Sequence, residues 1–180
     1  MTVRRATLDD LGAIMRLERA SFPTDAWSDA MMREELGSPH GWYVVDEVAG
    51  RLLGYAGLRA VHNAKDADIQ TITIAEESRG RGRGRALLRE LLHEAARRHV
   101  TDVFLEVRAD NPVAQRLYLS EGFAEIGRKP RYYQPDDVDA LVMRLDLRGW
   151  HASTASAAGG ADAVPGAAGR AQAWDGGVCS

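Results

Sequence analysis

Apolar positions through the first 147 residues of this 180-residue chain fall by turns into the two-residue rhythm of strands and the four-residue rhythm of helices. Thr2–Ala6 reads as a short strand. Thr7, followed three residues later by Asp10, resembles a capping box opening a helix that carries Leu11, Ile14, Met15 and Glu18 at helical spacing. Beyond the loop Phe22–Trp27, Ser28 caps a shorter helix that Gly37 ends. Trp42–Asp46 and Arg51–Ala60 are rich in Val, Leu and Tyr and are separated by a few residues ending in Gly50, which predicts a β-hairpin; Asp68–Ala75 predicts another strand. A helix beginning near Ala86 follows, in which Leu87/Leu88, Leu91/Leu92 and Ala95/Ala96 recur every four residues as a stripe wide enough to pack on a sheet. Asp102–Arg108 is a buried-looking strand. Asn111 as N-cap, Pro112 at the first helical position and Gly122 at the far end frame a helix with Val113, Ala114, Leu117 and Tyr118. Phe123–Arg128 and Ala140–Leu147 close the pattern as strands around a loop Lys129–Asp137. The order β-αα-ββ-β-α-β-α-β-β predicts an α+β fold on one mixed sheet.

Composition divides the chain. From Arg148 it turns to Ala, Gly and Ser, with too little apolar bulk to offset ordering entropy, so 1–147 is expected to form one domain and 148–180 a flexible tail. A net charge of −3 and pI near 6 disfavour a nucleic-acid coat. The single cysteine, Cys179, excludes a disulfide framework and a Cys-based metal site, and the five histidines show no ligand spacing, so no metal is expected. With no apolar leader and no run long enough to span a bilayer, a cytoplasmic protein without a membrane partner is expected.

Arg79–Arg85 reads R-G-R-G-R-G-R between a β-branched run (Ile72, Thr73, Ile74) and the start of a helix. Glycines at 80, 82 and 84 let the backbone approach an anion and turn N–H groups toward it, and the helix N-terminus adds partial positive charge. No Lys-Ser/Thr follows the last glycine, which excludes a Walker-type loop. The arginines between the glycines have an ordinary reading as a solvated loop. An RNA-binding arginine-glycine segment would repeat within a disordered stretch, whereas this run is single and wedged between strand and helix. Glu106 interrupts the apolar strand V-F-L-E-V; a buried charge there is costly without a partner, so it faces a wet cavity or pairs with an arginine such as Arg108. Tyr118 lies seven residues beyond Asn111, about two helical turns away on nearly the same face, and is open to reading as a core tyrosine. Trp27, Tyr132 and Tyr133 lie outside the apolar periodicities, on loops, as walls of a groove or plugs of a core edge.

The run T-I-T-I-A-E-E-S-R-G-R-G-R-G-R-A-L-L resembles the acetyl-CoA signature Q/R-x-x-G-x-G/A of the GNAT superfamily of N-acetyltransferases, here Arg79, Gly82 and Gly84. S-F-P-T-D-A-W-S at 21–28, L-E-V-R-A-D-N at 105–111, A-Q-R-L-Y at 114–118 and R-Y-Y at 131–133 carry a likeness to its RimI group, which acetylates protein N-terminal amines, in particular that of a small-subunit ribosomal protein. Thr24-Asp25-Ala26 departs from the tighter P-W-S of many relatives and bears on the shape of the acceptor loop. The resemblance implies a GNAT fold over 1–147, its mostly antiparallel sheet splayed between the fourth and fifth strands and flanked by helices. It implies acetyl-CoA as acetyl donor: amides from Gly80 to Arg85 on the pyrophosphate, main chain of Ile72, Thr73 and Ile74 on the pantetheine arm, Asn111 on the cofactor, and Arg81, Arg83 or Arg85 on the 3′-phosphate. It further implies Glu106 as general base and Tyr118 as general acid to the departing thiolate; the loop positions of Trp27, Tyr132 and Tyr133 make them candidates for walls of the acceptor groove.

An α-amine of pKa near 8 costs about 1.4 kcal/mol to deprotonate at pH 7 and a lysine of pKa near 10.4 about 4.6, so a carboxylate base suits the α-amine better. A tyrosine near pKa 10 serves a thiolate near 8.5 better as a hydrogen-bond donor than as a full proton donor. With Cys179 in the tail, direct transfer is expected rather than an acyl-cysteine. A transferase for a small amine or a lysine side chain, and a non-catalytic acyl-CoA-binding domain, remain alternatives.

Overall fold

The computed structural model describes residues 2–150 and a two-residue strand at 169–170. In chain order the elements are β1 (Thr2–Arg5), α1 (Leu11–Ser21), α2 (Asp29–Gly37), β2 (Gly41–Val48), β3 (Arg51–Arg59), β4 (Asp66–Ile74), α3 (Arg83–Arg97), β5 (Asp102–Arg108), α4 (Pro112–Ser120), β6 (Ala124–Tyr133), β7 (Val138–Asp146) and β8 (Gly169–Arg170). Seven strands run in the order β1-β2-β3-β4-β5-β7-β6, all antiparallel except the β4–β5 pair. This is the splayed mixed sheet of the GNAT fold that the sequence implied. The apolar stripe of α3 (Leu87, Leu88, Leu91, Leu92, Ala95) covers one face in a core shared with Ile72, Ile74, Val103, Leu105 and Val107. A second core beneath α1 and α2 gathers Leu11, Ile14, Met15, Met32, Tyr43 and Tyr55. No helix among the described residues is long and apolar enough to cross a membrane.

Several boundaries differ from the sequence reading. Asp10 closes a 3-10 turn, Leu8–Asp10, and α1 starts one residue later; the Asp10 carboxylate accepts from Thr7 N at 2.8 Å. The expected loop Lys129–Asp137 is largely strand: β6 continues through Tyr133 and β7 begins at Val138, because the two strands keep pairing to Tyr133↔Val138 across an irregularity after Lys129. The folded unit also passes 147. Trp150, assigned by composition to the tail, is 2% exposed, stacks edge-on against His93 at 5.2 Å and donates from Nε1 to Glu121 Oε2 at 3.3 Å. Of the remaining tail only β8 is described, pairing antiparallel with β4 as Thr71↔Arg170 and Ile72↔Gly169.

Glu18 fastens the loop between α1 and α2. It is 1% exposed, and its Oε1 accepts from Trp27 N at 3.0 Å while Oε2 accepts from the Tyr55 hydroxyl. Burial, then the Glu18 charge, pushes the Tyr55 phenol far above its ordinary range, so it remains a donor. Removing the carboxylate orphans two buried donors. Glu18→Ala is therefore expected to cost about 3 kcal/mol in urea unfolding and Glu18→Gln about half of that; equal stability of wild type and the alanine variant would show that the loop is held by packing alone.

Candidate active site

β4 and β5 pair in parallel only through Asp66↔Asp102, Ala67↔Val103 and Asp68↔Phe104. Beyond Asp68 they part, while β3 continues to hold the far edge of β4 through Ala56↔Ile72, Tyr55↔Thr73 and Gly54↔Ile74. The near edge of Ile72, Thr73 and Ile74 thus faces the opening as a strand edge on which an extended chain of amides can pair. β8 lies on that edge at Thr71 and Ile72, overlapping at Ile72 the stretch that the resemblance gives to pantetheine.

The glycine loop stands at the mouth of the opening. Gly80 and Gly82 have φ of 73° and 74°, left-handed values that glycine adopts without strain. α3 starts at Arg83, three residues before the expected position, so Gly84 and Arg85 belong to its first turn, and no side chain caps it. A 15-residue helix with an uncapped N-terminus preceded by two left-handed glycines is a nest of unused donors. The arginines divide among different tasks. Arg83 reaches Asp46 on β2 at 2.5 Å, and Asp46 is fully buried. Arg85 pairs with buried Glu121 at 2.5 Å and Ser120 Oγ at 3.0 Å, and Arg79 Nε donates to the carbonyl of Ile74 at 3.2 Å. Arg81 is exposed and has no hydrogen bond or ion pair among the described residues. Of the three arginines expected near the 3′-phosphate, it is the one whose side chain is not engaged within the fold.

Glu106 sits where β5 leaves β4. Val103, Leu105 and Val107 face the α3 core, which turns Phe104 and Glu106 to the opposite face. Glu106 is 3% exposed; Oε1 pairs with Lys129 Nζ and Oε2 has no hydrogen-bond partner among the described residues. Arg108, the partner considered from sequence, instead joins Asp110 at 2.9 Å and Asp136 at 3.0 Å. Its guanidinium is taken up by those two carboxylates, and Lys129 on β6 meets Glu106 in its place.

Asn111 Oδ1 accepts from Ala114 N at 3.1 Å, so its first duty is to cap α4. Tyr118 on that helix is 1% exposed, stacks edge-on with Phe123 at 5.8 Å, and makes no hydrogen bond through its hydroxyl among the described residues. Burial alone raises its phenol well above 10, which keeps the proton in place. Tyr133 is 2% exposed; burial first, then the nearby charges of Glu106, Tyr132 and Tyr118, raise its phenol too, which places these groups around one space. Tyr132 lies with Lys129 Nζ 4.8 Å from its ring centre. Trp27 is 7% exposed and packs in the second core with Ile14, Met15 and Tyr55. Its loop position suggested a groove wall, but the Glu18 clasp turns it inward.

Sequence reading passed over Asp68 and Gln70. Burial, then the like charges of Asp66 and Glu106, lift Asp68 to about 6. Gln70 is fully buried with neither side-chain polar atom partnered among the described residues. The alternation D-A-D-I-Q at 66–70 was the available signal: a polar face on an otherwise apolar strand. No group of side chains suited to a metal ion occurs among the described residues.

Comparison with known proteins agrees with this geometry. The Acetyltransferase (GNAT) family matches residues 11–123. The chain is 40% identical over 149 residues to N-alpha-acetyltransferase RimI of Mycobacterium tuberculosis, covering 81% of this chain and 92% of that protein. It is 30% identical over 150 residues to the [ribosomal protein bS18]-alanine N-acetyltransferase of Escherichia coli K12, covering 81% and 97%. The crystal structure of the ribosomal-protein-S18-alanine N-acetyltransferase from Escherichia coli superimposes with a TM-score of 0.74 at 28% identity over 81% of this chain and 93% of that one. A splayed sheet, an anion-ready glycine loop and these relatives converge, and the chain belongs to the GNAT family of acetyltransferases.

Proposed function

We propose that this protein transfers the acetyl group of acetyl-CoA to the N-terminal α-amine of a protein, a ribosomal protein by the standing of its relatives. The observation that carries the reading is Glu106, a buried carboxylate with one oxygen unpartnered among the described residues, at the point where β4 and β5 separate. The loop fits the phosphates of the donor: Gly80 and Gly82 present left-handed backbone and α3 an uncapped N-terminus, so amides from Gly80 to Arg85 hold the pyrophosphate. Main chain of Ile72, Thr73 and Ile74 pairs with the pantetheine amides, which requires β8 to leave that edge. Asn111, whose side chain ends the same helix that bears Tyr118, contacts the donor from α4.

Glu106 Oε2 accepts a proton from the acceptor ammonium, directly or through one water, and Lys129 on Oε1 keeps the carboxylate oriented. The freed amine attacks the thioester carbonyl. The C–S bond breaks with its electron pair on sulfur, the Tyr118 hydroxyl donates a hydrogen bond to that charge as it develops, and the second proton of the attacking nitrogen passes to the sulfur, leaving the amide and the CoA thiol. A phenol held well above its ordinary range donates without ionising in place of the thiol. Tyr132 and Tyr133 form the wall beside Glu106 on the acceptor side.

The decisive assay measures acetyl-CoA turnover on peptides with free and blocked N-termini, lysine-containing peptides with blocked N-termini, and small amines. Turnover confined to free α-amines is expected; a rate indifferent to N-terminal blocking would overturn the reading. Glu106→Gln should lower kcat by about a hundredfold and Tyr118→Phe by about tenfold, each with acetyl-CoA affinity nearly unchanged. Unaltered kcat in both would remove their assigned roles. For the donor, Arg81→Ala should weaken acetyl-CoA binding three- to tenfold in calorimetry while leaving 3′-dephospho-CoA unaffected; equal losses for both would place Arg81 on the pyrophosphate instead.

A further inference from the structure

Beyond the base and the acid, the opening holds a second feature with no role so far. Continuing the β4–β5 register two residues past its last pair, Asp68↔Phe104, brings Gln70 level with Glu106 across the gap. Both face away from the α3 core: Ala67 and Ile69 on β4 and Leu105 and Val107 on β5 point into it. Gln70 is also the extra residue of a bulge. On β3, Gly57 pairs with Thr71 and Leu58 with Ile69, which leaves Gln70 without a partner in the ladder and re-aims its side chain.

The Gln70 side chain is fully buried, and neither Oε1 nor Nε2 has a hydrogen-bond partner among the described residues; Glu106 Oε2, opposite, is in the same condition. A buried amide without partners is costly, by about 1–3 kcal/mol for each unmet group. A cavity of about 190 Å³ adjoins it, lined by Arg59, Val61, Ala64, Asp66, Asp68 and Gln70. Its carboxylates suit a cation. Asp68, held near 6 by burial and by the charges of Asp66 and Glu106, makes no hydrogen bond or ion pair among the described residues.

We propose that Gln70 binds the acceptor nitrogen: its side-chain carbonyl accepts a hydrogen bond from the amine while Glu106 faces the same nitrogen from β5. This rests on the amine-acetylation reading above. A carboxylate alone holds an ammonium well but holds it less well once the proton has crossed to the carboxylate. The amide carbonyl of Gln70 cannot take the proton, so it can accept an N–H bond both from the ammonium and, less strongly, from the neutral amine. The nucleophile therefore stays aligned through the proton transfer, with the lone pair directed away from Gln70 toward the thioester.

Gln70→Leu keeps the approximate size and removes the polar atoms. With an alanine-initiated peptide as acceptor, kcat/KM for the peptide is expected to fall ten- to hundredfold, with acetyl-CoA affinity unchanged and thermal stability equal to or above that of wild type. That combination separates ligand binding from a structural role, which would lower stability in step with activity. Gln70→Glu retains an acceptor oxygen and should recover most of the peptide KM. Wild-type acceptor kinetics in Gln70→Leu, with wild-type turnover intact and abolished by N-terminal blocking, would overturn the assignment of Gln70 while upholding the α-amine reading. Absence of wild-type turnover on every amine tested would overturn both.

Discussion

When a parallel strand pair opens inside a sheet, two rows of main-chain donors and acceptors lose their ladder while both strands remain anchored on their outer edges. β4 keeps β3 and β5 keeps β7, so neither strand can swing across to restore the missing bonds. The gap is therefore built into the sheet rather than a frayed end, its depth is set by the three residue pairs that hold its apex, and β8 pairs into it at Thr71 and Ile72. Groups at the apex become deeply buried and yet adjoin a space that side chains do not fill. Glu106 and Gln70 stand there with polar atoms unpartnered among the described residues, a state that a close-packed interior does not tolerate without further groups to meet them.

Charge arrangement around the gap follows from the same constraint. The face that carries Glu106, Asp66 and Asp68 is acidic, and Lys129 and Arg59 neutralise it only in part. The glycine loop at the other end is basic and rich in free amides. One side of the opening suits a cation and the other an anion, as a reaction between an ammonium and a phosphate-bearing thioester requires. The arginines of the loop contribute less to that polarity than their number suggests. Arg83 ties the loop to β2 through Asp46, and Arg85 ties it to α4 through Glu121, which also receives Arg89 and Trp150. Removing one member of such a buried pair leaves an uncompensated charge, so these arginines stabilise the loop's geometry and the backbone between them presents the anion site.

Much of this was readable in one dimension. The alternation of period two and period near four located every helix and strand of the domain, because those periods report directly on which side of an element is buried. Local chemistry located the caps: Ser28 accepts from Met31 N and Asn111 from Ala114 N, each a contact within three residues. Trp27 and Trp150 were misplaced for the opposite reason. Their environments depend on Glu18 and Glu121, nine and 29 residues away and each brought near only by the fold, and a loop or tail residue gives no sign of such an acceptor. Lys129 was likewise placed in a loop, because the β6–β7 pairing that carries it past Glu106 depends on register between two strands.

The linear order of residues determined the fold family, the glycine loop and the presence of a carboxylate in an apolar strand, since each is encoded by neighbours a few residues apart. Tertiary structure alone decided which arginine remains disengaged, which cation attends Glu106, and that Gln70 comes level with it across the gap. Those are relations between strands distant in sequence, fixed by register and by where β4 and β5 stop pairing, and no local spacing records them.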